Sequence, residues 1–591
     1  MSFLLSRPSL IAACNSETPE HCPLSRRTLA TVLGCGSSTL MRSVVSIGLA
    51  LGKATIAAAG TYTVTSVADD NSAGTLRYAI INANYTPGSV IQFAAGLNGQ
   101  TITLTGGQIP VKASMTIQGL GSGNLTISGN NASRIFQAYT NGATPLNVGI
   151  SGVALITGNA GSGKGGAVYA KNINLNLQDV VLTNNHAQLG GAVYATGSGA
   201  SCTLTSTTLQ NNTAGTGGGL LINSGTSVQI SNSVFDQNHA SSGGAGALSV
   251  TNIGSVSIGG SQITNNQAHG SGGGLASDYS PVQISGSTIS GNTAGVGAPL
   301  FQGKGGGVWV HNSNFTLTDS SVSNNGGSGS ATYYGGGIYL RDSRSTAQAV
   351  LDVERSTISG NTALLRGGGI DAGRAGSVTV GKSLLSSNSA TGSFANGGGG
   401  LAIGVIANSV YLHDSTFYQN SAFGYGGGID IFNATTGNAS TLKSLTIVGN
   451  STQANPGNGI RALGAPTLDS AIVANNINTA NNAGSQDLDG TFKVTFSDIK
   501  KKGTATFAGG SGNNLVDGTD PSLGALAMNG GPTKSLLPNI GSPVLDKGDT
   551  AITSGLDQRG FPRVVSNHAD VGAVELQNPE DVIFQDDFEL Q

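Results

Sequence analysis

One short phrase recurs along most of the sequence and constrains the fold more than any other feature. It consists of an apolar residue, two small or polar residues and an asparagine, and it is followed by glycines and a hydrophobic segment. Successive copies lie 25 to 36 residues apart, a period typical of solenoids, in which each unit buries its apolar face against its neighbours. The copies end at Asn130, Asn159, Asn185, Asn212, Asn238, Asn266, Asn292, Asn325, Asn361, Asn388, Asn420, Asn450 and Asn475.

The unit at residues 305–326, GGGVWVHNSNFTLTDSSVSNNG, indicates how one repeat forms one turn. Val308 and Val310 flank Trp309, which is the two-residue alternation of a strand buried on one side, and the segment FTLT repeats it. A third short strand precedes the asparagine turn. Three short strands per turn, stacked about 4.8 Å apart, predict an all-β, single-stranded parallel β-helix of about 13 or more rungs.

Stacking also explains which polar residues recur. Asparagine tolerates the left-handed backbone of a bend and can bond the equivalent amide one rung away. Paired and triple glycines, from Gly165 to Gly428, predict a corner too tight for a side chain. Five residues before the asparagine we expect an inward hydroxyl ladder of Thr207, Ser233, Ser261, Ser287, Ser320, Ser356, Ser383, Ser415 and Ser470.

The sequence divides into five regions. Residues 1–59 form a predicted leader, whose signal peptide starts at Met41 and is cleaved near Ala59. A twin-arginine or lipoprotein signal ending at Cys35, or a cytoplasmic protein with a disordered amino terminus, are the alternatives. Residues 60–150 are expected to form an amino-terminal cap with a short helix capped by Ser72 or Thr75. The repeats follow at 151–485, a closing cap at 486–577, and an acidic tail at 578–591 that is either a sorting tail or a plain disordered end.

Charge, hydrophobicity and cysteine count argue against nucleic-acid binding, a membrane-spanning helix and an internal disulfide. Without the leader, 22 basic and 28 acidic residues remain, a net charge of −6, which disfavours nucleic acid. No apolar run after residue 60 reaches the roughly 20 residues of a spanning helix. Cleavage of the leader leaves Cys202 alone, so no internal disulfide is expected.

Three segments carry a family resemblance. FDQN at Phe235 and FYQN at Phe417, with GGAV and GGGI phrases, resemble polymorphic outer membrane protein repeats, whose members form right-handed β-helices. The segment TVTSVADDNSAGTLRYAI from Thr63 is similar to the CSLREA amino-terminal motif, with Gly74 and Tyr78 in place of its cysteine and glutamate. DPSLGALAMNGGPTKSLLP from Asp520, with the GSPVLDKGD and DQRGFPRVVSNHADVGAVE phrases after it, resembles the choice-of-anchor Q family. The resemblance implies an exported bacterial, right-handed β-helix protein.

An outward column of residues offers the candidate site. Asp371 and Asp430 occur two rungs apart in it, about 9.6 Å at the usual strand spacing, a separation compatible with an inverting glycosidase pair. Trp309 and Tyr339 could hold sugar faces in the same column, with Arg341, Arg366 and His311 beside them as charge partners. The simpler interpretation is that exposed strand positions accept any residue.

Metal and cofactor sites have little support. The histidines after the leader are isolated in the sequence, so no metal centre is predicted, and no cofactor is expected. Turn capping, rather than structural calcium, is the favoured role of Asp546, Asp549, Asp557, Asp570 and Glu575.

Three functions remain open at this point. The first is a secreted or cell-surface β-helix protein that binds a polysaccharide or cell-surface ligand along Trp309, Tyr339, Arg341, Asp371 and Asp430. The second, less favoured, is a polysaccharide lyase or glycoside hydrolase that uses Asp371 and Asp430. The third is a structural envelope spacer without a ligand.

Overall fold

The computed structural model describes residues 58–299, 302–327, 332–344, 346–393, 397–433 and 439–577. They fall within one unit that begins at Ala57. Nearly all of the predicted leader and the whole predicted acidic tail therefore lie outside the described residues.

Parallel strands wind the chain into a β-solenoid of about 15 turns. Each turn contributes a first strand after the glycine corner, a second strand, and a third strand before the asparagine turn. Each strand pairs with its counterparts in the turns above and below, so that three strand columns run along the molecule. The predicted all-β, right-handed parallel β-helix is confirmed.

The strand bounds follow this order. The first column contains Ile109–Val111, Phe136–Tyr139, Val168–Lys171, Val193–Thr196, Leu275–Asp278, Val308–His311, Ile338–Arg341, Ile429–Ile431 and Ile460–Ala462. The second contains Thr61–Val64, Ser89–Phe93, Met115–Gln118, Ser201–Thr205, Val282–Ser285, Phe315–Thr318, Val350–Glu354 and Thr467–Asp469. The third contains Gln100–Thr103, Leu125–Ser128, Thr208–Gln210, Val234–Asp236, Gln262–Thr264, Thr288–Ser290, Ser321–Ser323, Thr357–Ser359, Leu384–Ser386, Ile472–Ala474 and Asp498–Ile499.

Other strands run through more than one column or lie outside the columns. The longer ones are Leu146–Ile156, Ile173–Thr183, Leu220–Ser231, Leu248–Gly259, Ile370–Gly381, Leu401–Tyr418, Ala439–Val448 and Leu488–Thr495. Short strands after the asparagine turn span His186–Leu189, Thr213–Thr216, His239–Ala240, Gln267–Ala268, Thr293–Ala294, Thr362–Ala363, Ser389–Ala390, Ser421–Ala422, Ser451–Thr452 and Ile477–Asn478. Thr506–Phe507 pairs with the last long strand, and Leu523–Ala527 and Ser535–Pro538 form an antiparallel pair.

Alternation along each strand builds one continuous apolar core. In the turn analysed above, Val308, Val310, Phe315, Leu317 and Val322 are fully buried. Their counterparts in neighbouring turns are mostly Ile, Leu and Val and belong to the same buried cluster. Burial of this apolar surface is the main term that favours the coil.

A buried asparagine ladder runs beside this core. Asn325 Nδ2 donates to Asn361 Oδ1 at 2.9 Å, and the Asn325 main-chain N–H donates to the same oxygen at 3.0 Å. The left-handed backbone is adopted one residue earlier, at Asn324, so the two roles expected of one asparagine are divided between neighbours. The ladder contains Asn185, Asn212, Asn238, Asn266, Asn292, Asn325, Asn361, Asn388, Asn420, Asn450 and Asn476.

Three asparagines of the repeated phrase lie outside the ladder. Asn130 and Asn159 precede its first member, Asn185. In the turn before Asn185 the ladder position is held by Gly158, whose N–H donates to Asn185 Oδ1. At the other end Asn476, not Asn475, continues the column, because Asn475 is the left-handed residue of that turn.

The predicted hydroxyl ladder is present but ends early. Each hydroxyl oxygen accepts the main-chain N–H of the preceding turn, as in the 3.1 Å bond from Ser287 N to Ser320 Oγ. The series holds from Ser233 to Ser415. Leu445 and Ala471 hold the ladder position in the next two turns and have no hydroxyl. The predicted member Ser470 lies one residue before Ala471 and has a left-handed backbone.

The glycine corners are enforced by close backbone approach. A Cβ on Gly336 would lie 2.4 Å from the Gly368 carbonyl oxygen and 2.5 Å from that of Thr362. No side chain fits at such distances, and the corner therefore requires glycine.

A short helix, Leu76–Ala83, covers the first turns as expected. Thr75 is its N-cap residue and accepts the N–H of Tyr78 at 3.3 Å. Leu76, Ala79, Ile80 and Ala83 are buried. Short 3-10 segments also occur at Ala95–Leu97 and Asn482–Gly484.

The carboxyl-terminal segment packs on a side of the solenoid, whereas we expected it to close the end. Thr416 Oγ1 donates to Gln558 Oε1 at 2.6 Å, and Ala573 N donates to Thr446 Oγ1 at 2.9 Å. In the final turns, the residues of the third strand column that point away from the core are apolar: Val448, Ile472 and Ala474. They form a buried cluster with Leu536, Val544 and Val571 of this segment. An apolar strip of this kind must be removed from water, which explains the path of the segment.

Candidate functional site

The strand register places the predicted site residues in one outward column. Trp309 pairs with Tyr339, which pairs with Asp371 in the next turn. Asp371 pairs with Ala402, and Ala402 with Asp430. We call these five residues the outward column.

Most of the outward column is covered. Tyr339, Asp371 and Asp430 are buried, Trp309 is half-buried, and Arg341 at the neighbouring strand end is exposed. The expectation that the column is an open contact surface is therefore wrong for Tyr339, Asp371 and Asp430.

The covering residues lie five positions before the column residues that they accompany. Lys304, Tyr334 and Arg366 form a parallel row of bridges of their own beside the column. The Tyr334 and Tyr339 rings are 6.2 Å apart, and the Arg366 guanidinium lies 5.0 Å from the Tyr334 ring centroid. Arg366 was expected here as a charge partner, whereas Lys304 and Tyr334 were not predicted as part of the site, although their constant offset was visible in the sequence.

Asp371 forms an ion pair with the half-buried Arg366. Arg366 Nε donates to Asp371 Oδ2 at 2.8 Å, whereas Asp371 Oδ1 is buried without a hydrogen-bond partner. Burial raises the pKa of Asp371 above its usual range, against the opposing effect of Arg366.

Asp430 is held by Arg461 from the following turn. Arg461 Nε and Nη2 donate to its two carboxylate oxygens at 2.6 and 2.9 Å. Burial raises the pKa of Asp430 to about 6 although Arg461 stabilises the charged form. Both carboxylates are thus enclosed and ion-paired, so a substrate could reach them only after these contacts open.

An accessible aromatic patch does occur beside Trp309. We call Tyr279, Trp309 and His311 the aromatic patch. The Trp309 and His311 rings stack with centroids 5.4 Å apart, and the Tyr279 ring meets His311 edge-on at 6.3 Å. Tyr279 is 52% exposed.

Hydrogen bonds fix the central ring of the patch. His311 Nδ1 lies 2.9 Å from Asp278 Oδ1, and Nε2 lies 2.7 Å from Ser343 Oγ. Exposed Ser343 and half-buried Asp278 therefore provide polar groups at the rim of an aromatic surface. Such a combination suits the apolar face and hydroxyl edge of a sugar.

A second group of polar residues lies between the second and third strand columns. His413 Nδ1 is 3.0 Å from Asp414 Oδ2, and its Nε2 is 3.2 Å from Glu354 Oε1. Burial alone lowers the pKa of His413, but the hydrogen bonds to the two carboxylates outweigh it and raise the pKa to about 9. His413, interpreted as isolated in the sequence, has two acidic partners: Asp414 is its neighbour in the chain, and the stacking of turns brings Glu354 to it.

The acidic residues of the carboxyl-terminal segment accept hydrogen bonds instead of converging. Asp570 accepts main-chain N–H groups of Asp546 and Leu576, and Glu575 accepts that of Asp570. Asp557 forms an ion pair with Arg559 at 2.8 Å. Within the described ranges, no group of three or more His, Cys, Asp or Glu residues is placed to hold a metal ion.

Comparison with known proteins gives the structural class. Residues 166–346 match the family model described as a right handed beta helix region. Together with the fold, this match makes the chain a right-handed β-helix repeat protein. No curated protein matches the sequence.

Two solved structures are similar at low levels. Pectate lyase Pel9A is 12% identical with a TM-score of 0.29, over 89% of this chain and 98% of that one. The A-module of mannuronan C-5 epimerase AlgE6 from Azotobacter vinelandii is 12% identical with a TM-score of 0.23, over 77% of this chain and 98% of that one. Similarity of this degree does not extend to an activity.

No helix within the described part of the chain has the length and apolar character needed to cross a bilayer.

Proposed function

We propose that this chain is an exported, surface-associated or secreted β-helix protein that recognises a glycan through the aromatic patch. The observation that carries the proposal is the chain of ring contacts from Tyr279 through His311 to Trp309, with Tyr279 half exposed to solvent. Sugar rings present C–H faces that pack on aromatic rings, and their hydroxyls need polar partners of the kind that Asp278 and Ser343 supply.

The neighbouring part of the column supports a rigid patch. Trp309 belongs to a strand that is paired on both sides, by Ala276 and by Tyr339. A binding surface on paired strands loses little conformational entropy when a ligand arrives. Arg341, exposed at the next strand end, adds a cation for acidic sugars.

The competing enzyme hypothesis uses Asp371 and Asp430 for glycan cleavage. Their burial and their ion pairs with Arg366 and Arg461 disfavour it, because neither carboxylate faces an open groove. A structural spacer without a ligand is the third candidate.

A glycan array probed with the purified full chain tests the proposal. We expect binding that falls at least tenfold in Trp309→Ala and Tyr279→Ala. Tyr85→Ala is the matched control, because Tyr85 is 76% exposed and lies next to the amino-terminal helix. Equal loss in the control, or no binding to any glycan, would contradict the proposal.

Release of reducing sugars from acidic polysaccharides, measured in parallel, separates the alternatives. Turnover that disappears in both Asp371→Asn and Asp430→Asn would favour the enzyme over the binding protein. Silence in both assays would favour the spacer.

Export and the finer family assignment also belong to this proposal. The sequence features that support them are the predicted signal peptide from Met41, the CSLREA-like segment from Thr63 and the choice-of-anchor Q-like segment from Asp520. Amino-terminal sequencing of the protein recovered outside the cell tests export, with a new terminus near Gly60 as the expected result.

A further inference from the structure

A cleft of about 410 Å³ separates the solenoid from part of its carboxyl-terminal segment. On the solenoid side it is lined where second strands bend into third strands, at Lys382, Tyr411, His413, Asp414 and Lys443. On the other side it is lined by residues 551–556 and Arg563. The cleft is distant in sequence from the aromatic patch and is formed only when the segment docks.

The turn stacking holds part of the lining in place. Gly381 stands between Glu354 and His413 in the strand register, and a Cβ on Gly381 would lie 2.2 Å from Glu354 Oε1. The missing side chain lets Glu354 bond His413 across the intervening turn at 3.2 Å. The Tyr411 ring stacks on His413 with centroids 4.5 Å apart, and Tyr411 remains 41% exposed.

The acidic groups near the cleft are already paired with basic side chains. Asp414 contacts His413 at 3.0 Å and Arg563 Nε at 3.6 Å, and Glu354 contacts His413. Lys443 Nζ lies 3.5 Å from Asp469. Lys382 has no ion-pair partner within the described part of the chain, and its half-buried side chain contributes a free positive charge.

Arg563 is the least satisfied group in the lining. Its side chain is 3% exposed, and its Nη2 donates to the Gly572 carbonyl. Its Nη1 is buried without any hydrogen-bond partner. A buried donor without an acceptor is unfavourable, more so when it is charged, so an anion in the cleft that reaches Nη1 would remove that cost.

We propose that this cleft binds the oxyanion of a small ligand, a carboxylate or a phosphate ester, through Arg563 and Lys382. The guanidinium supplies directional N–H donors and the ammonium supplies a point charge, the pair of groups that proteins use for such anions. The exposed face of Tyr411 provides a surface for the remainder of a ligand with one or two rings, which the volume accommodates.

Isothermal titration calorimetry of the full chain at low ionic strength and pH 7 tests this site. D-glucuronate, D-glucose 6-phosphate and neutral D-glucose are the three probes. We expect one or both charged sugars to bind and neutral glucose not to bind, and the better of the two identifies the oxyanion. Binding should weaken as salt is added.

Variants locate the binding. Lys382→Gln should weaken it at least fivefold without loss of fold, since Lys382 carries no structural ion pair among the described residues. Arg563→Lys should weaken it further, and Lys112→Gln, an exposed lysine in an early turn, should leave it unchanged. No binding of either anion, equal binding of glucose, or equal losses in Lys382→Gln and Lys112→Gln would overturn the inference. Because glycan-array binding depends on the aromatic patch, its failure is a separate result.

Discussion

Arg461 binds both carboxylate oxygens of Asp430, at 2.6 and 2.9 Å, and its guanidinium lies 4.0 Å from the Tyr425 ring centroid. Tyr425 precedes Asp430 by five residues, the same offset that Tyr334 and Arg366 have from Tyr339 and Asp371. One ion pair thus encloses a carboxylate that the sequence suggested for catalysis.

Loss of Arg461 should destabilise the protein more than loss of the whole pair. Arg461→Met leaves a buried, unpaired carboxylate and is expected to cost about 3–5 kcal/mol, whereas Asp430→Leu with Arg461→Met is expected to be nearly neutral. Urea denaturation followed by circular dichroism measures both. Equal stability of Arg461→Met and the unaltered chain would show that the pair is not enclosed in solution.

The asparagine ladder should be sensitive at the ladder position and tolerant one residue earlier. Asn325→Ala removes the Nδ2 bonds to Asn361 Oδ1 and Ile289 O and leaves the Asn292 donors without their acceptor, at a cost of roughly 2–4 kcal/mol. Asn324→Gly is the control, because Asn324 has a φ of 54° that glycine adopts freely. Thermal unfolding of both variants gives the comparison, and equal midpoints would contradict it.

The glycine corner should reject even a methyl group. Gly336→Ala places Cβ 2.4 Å from a carbonyl oxygen of the next turn, and we expect a loss of about 3 kcal/mol or failure to fold. Gly123→Ala, where no atom lies within 4 Å of the new Cβ, should be tolerated. Soluble yield and thermal midpoint measure the difference. A Gly336→Ala protein as stable as Gly123→Ala would mean that the corner is looser than described.

Docking of the carboxyl-terminal segment should weaken as pH rises. Burial raises the pKa of Glu575 from its usual 4.5 to about 8, so folding retains a proton that the unfolded segment releases. The resulting stability is complete below about pH 4.5 and is lost as pH rises to about 8. Hydrogen exchange of the main-chain amides of residues 557–577 across this pH range measures the stability of docking.

Glu575→Gln should remove most of this pH dependence. We expect His413 to cause the loss of docking stability that remains between about pH 6.5 and 9, because its pKa is raised to about 9. His413 is linked to the segment through Asp414, which contacts Arg563. An unchanged slope in Glu575→Gln would assign the effect to other groups.

The repeat positions were predictable because each turn meets nearly the same surroundings. The buried core, most of the asparagine ladder, the hydroxyl ladder from Ser233 to Ser415 and the glycine corners all follow from residue type and spacing. The register of Trp309, Tyr339 and Asp371 followed as well. Misassignments fell where a turn departs from the pattern, as with Asn475 in place of Asn476.

The sequence by itself therefore determined the coil and which side chains point inward, since inward positions depend on alternation within a strand and on near-identical neighbours. Only the tertiary structure decided which outward residues remain accessible. Arg366 covers Asp371 from the preceding corner, and Gln558 reaches Thr416 from 142 positions away. Such contacts depend on the path of loops and of the carboxyl-terminal segment, which have no repeat period to reveal them.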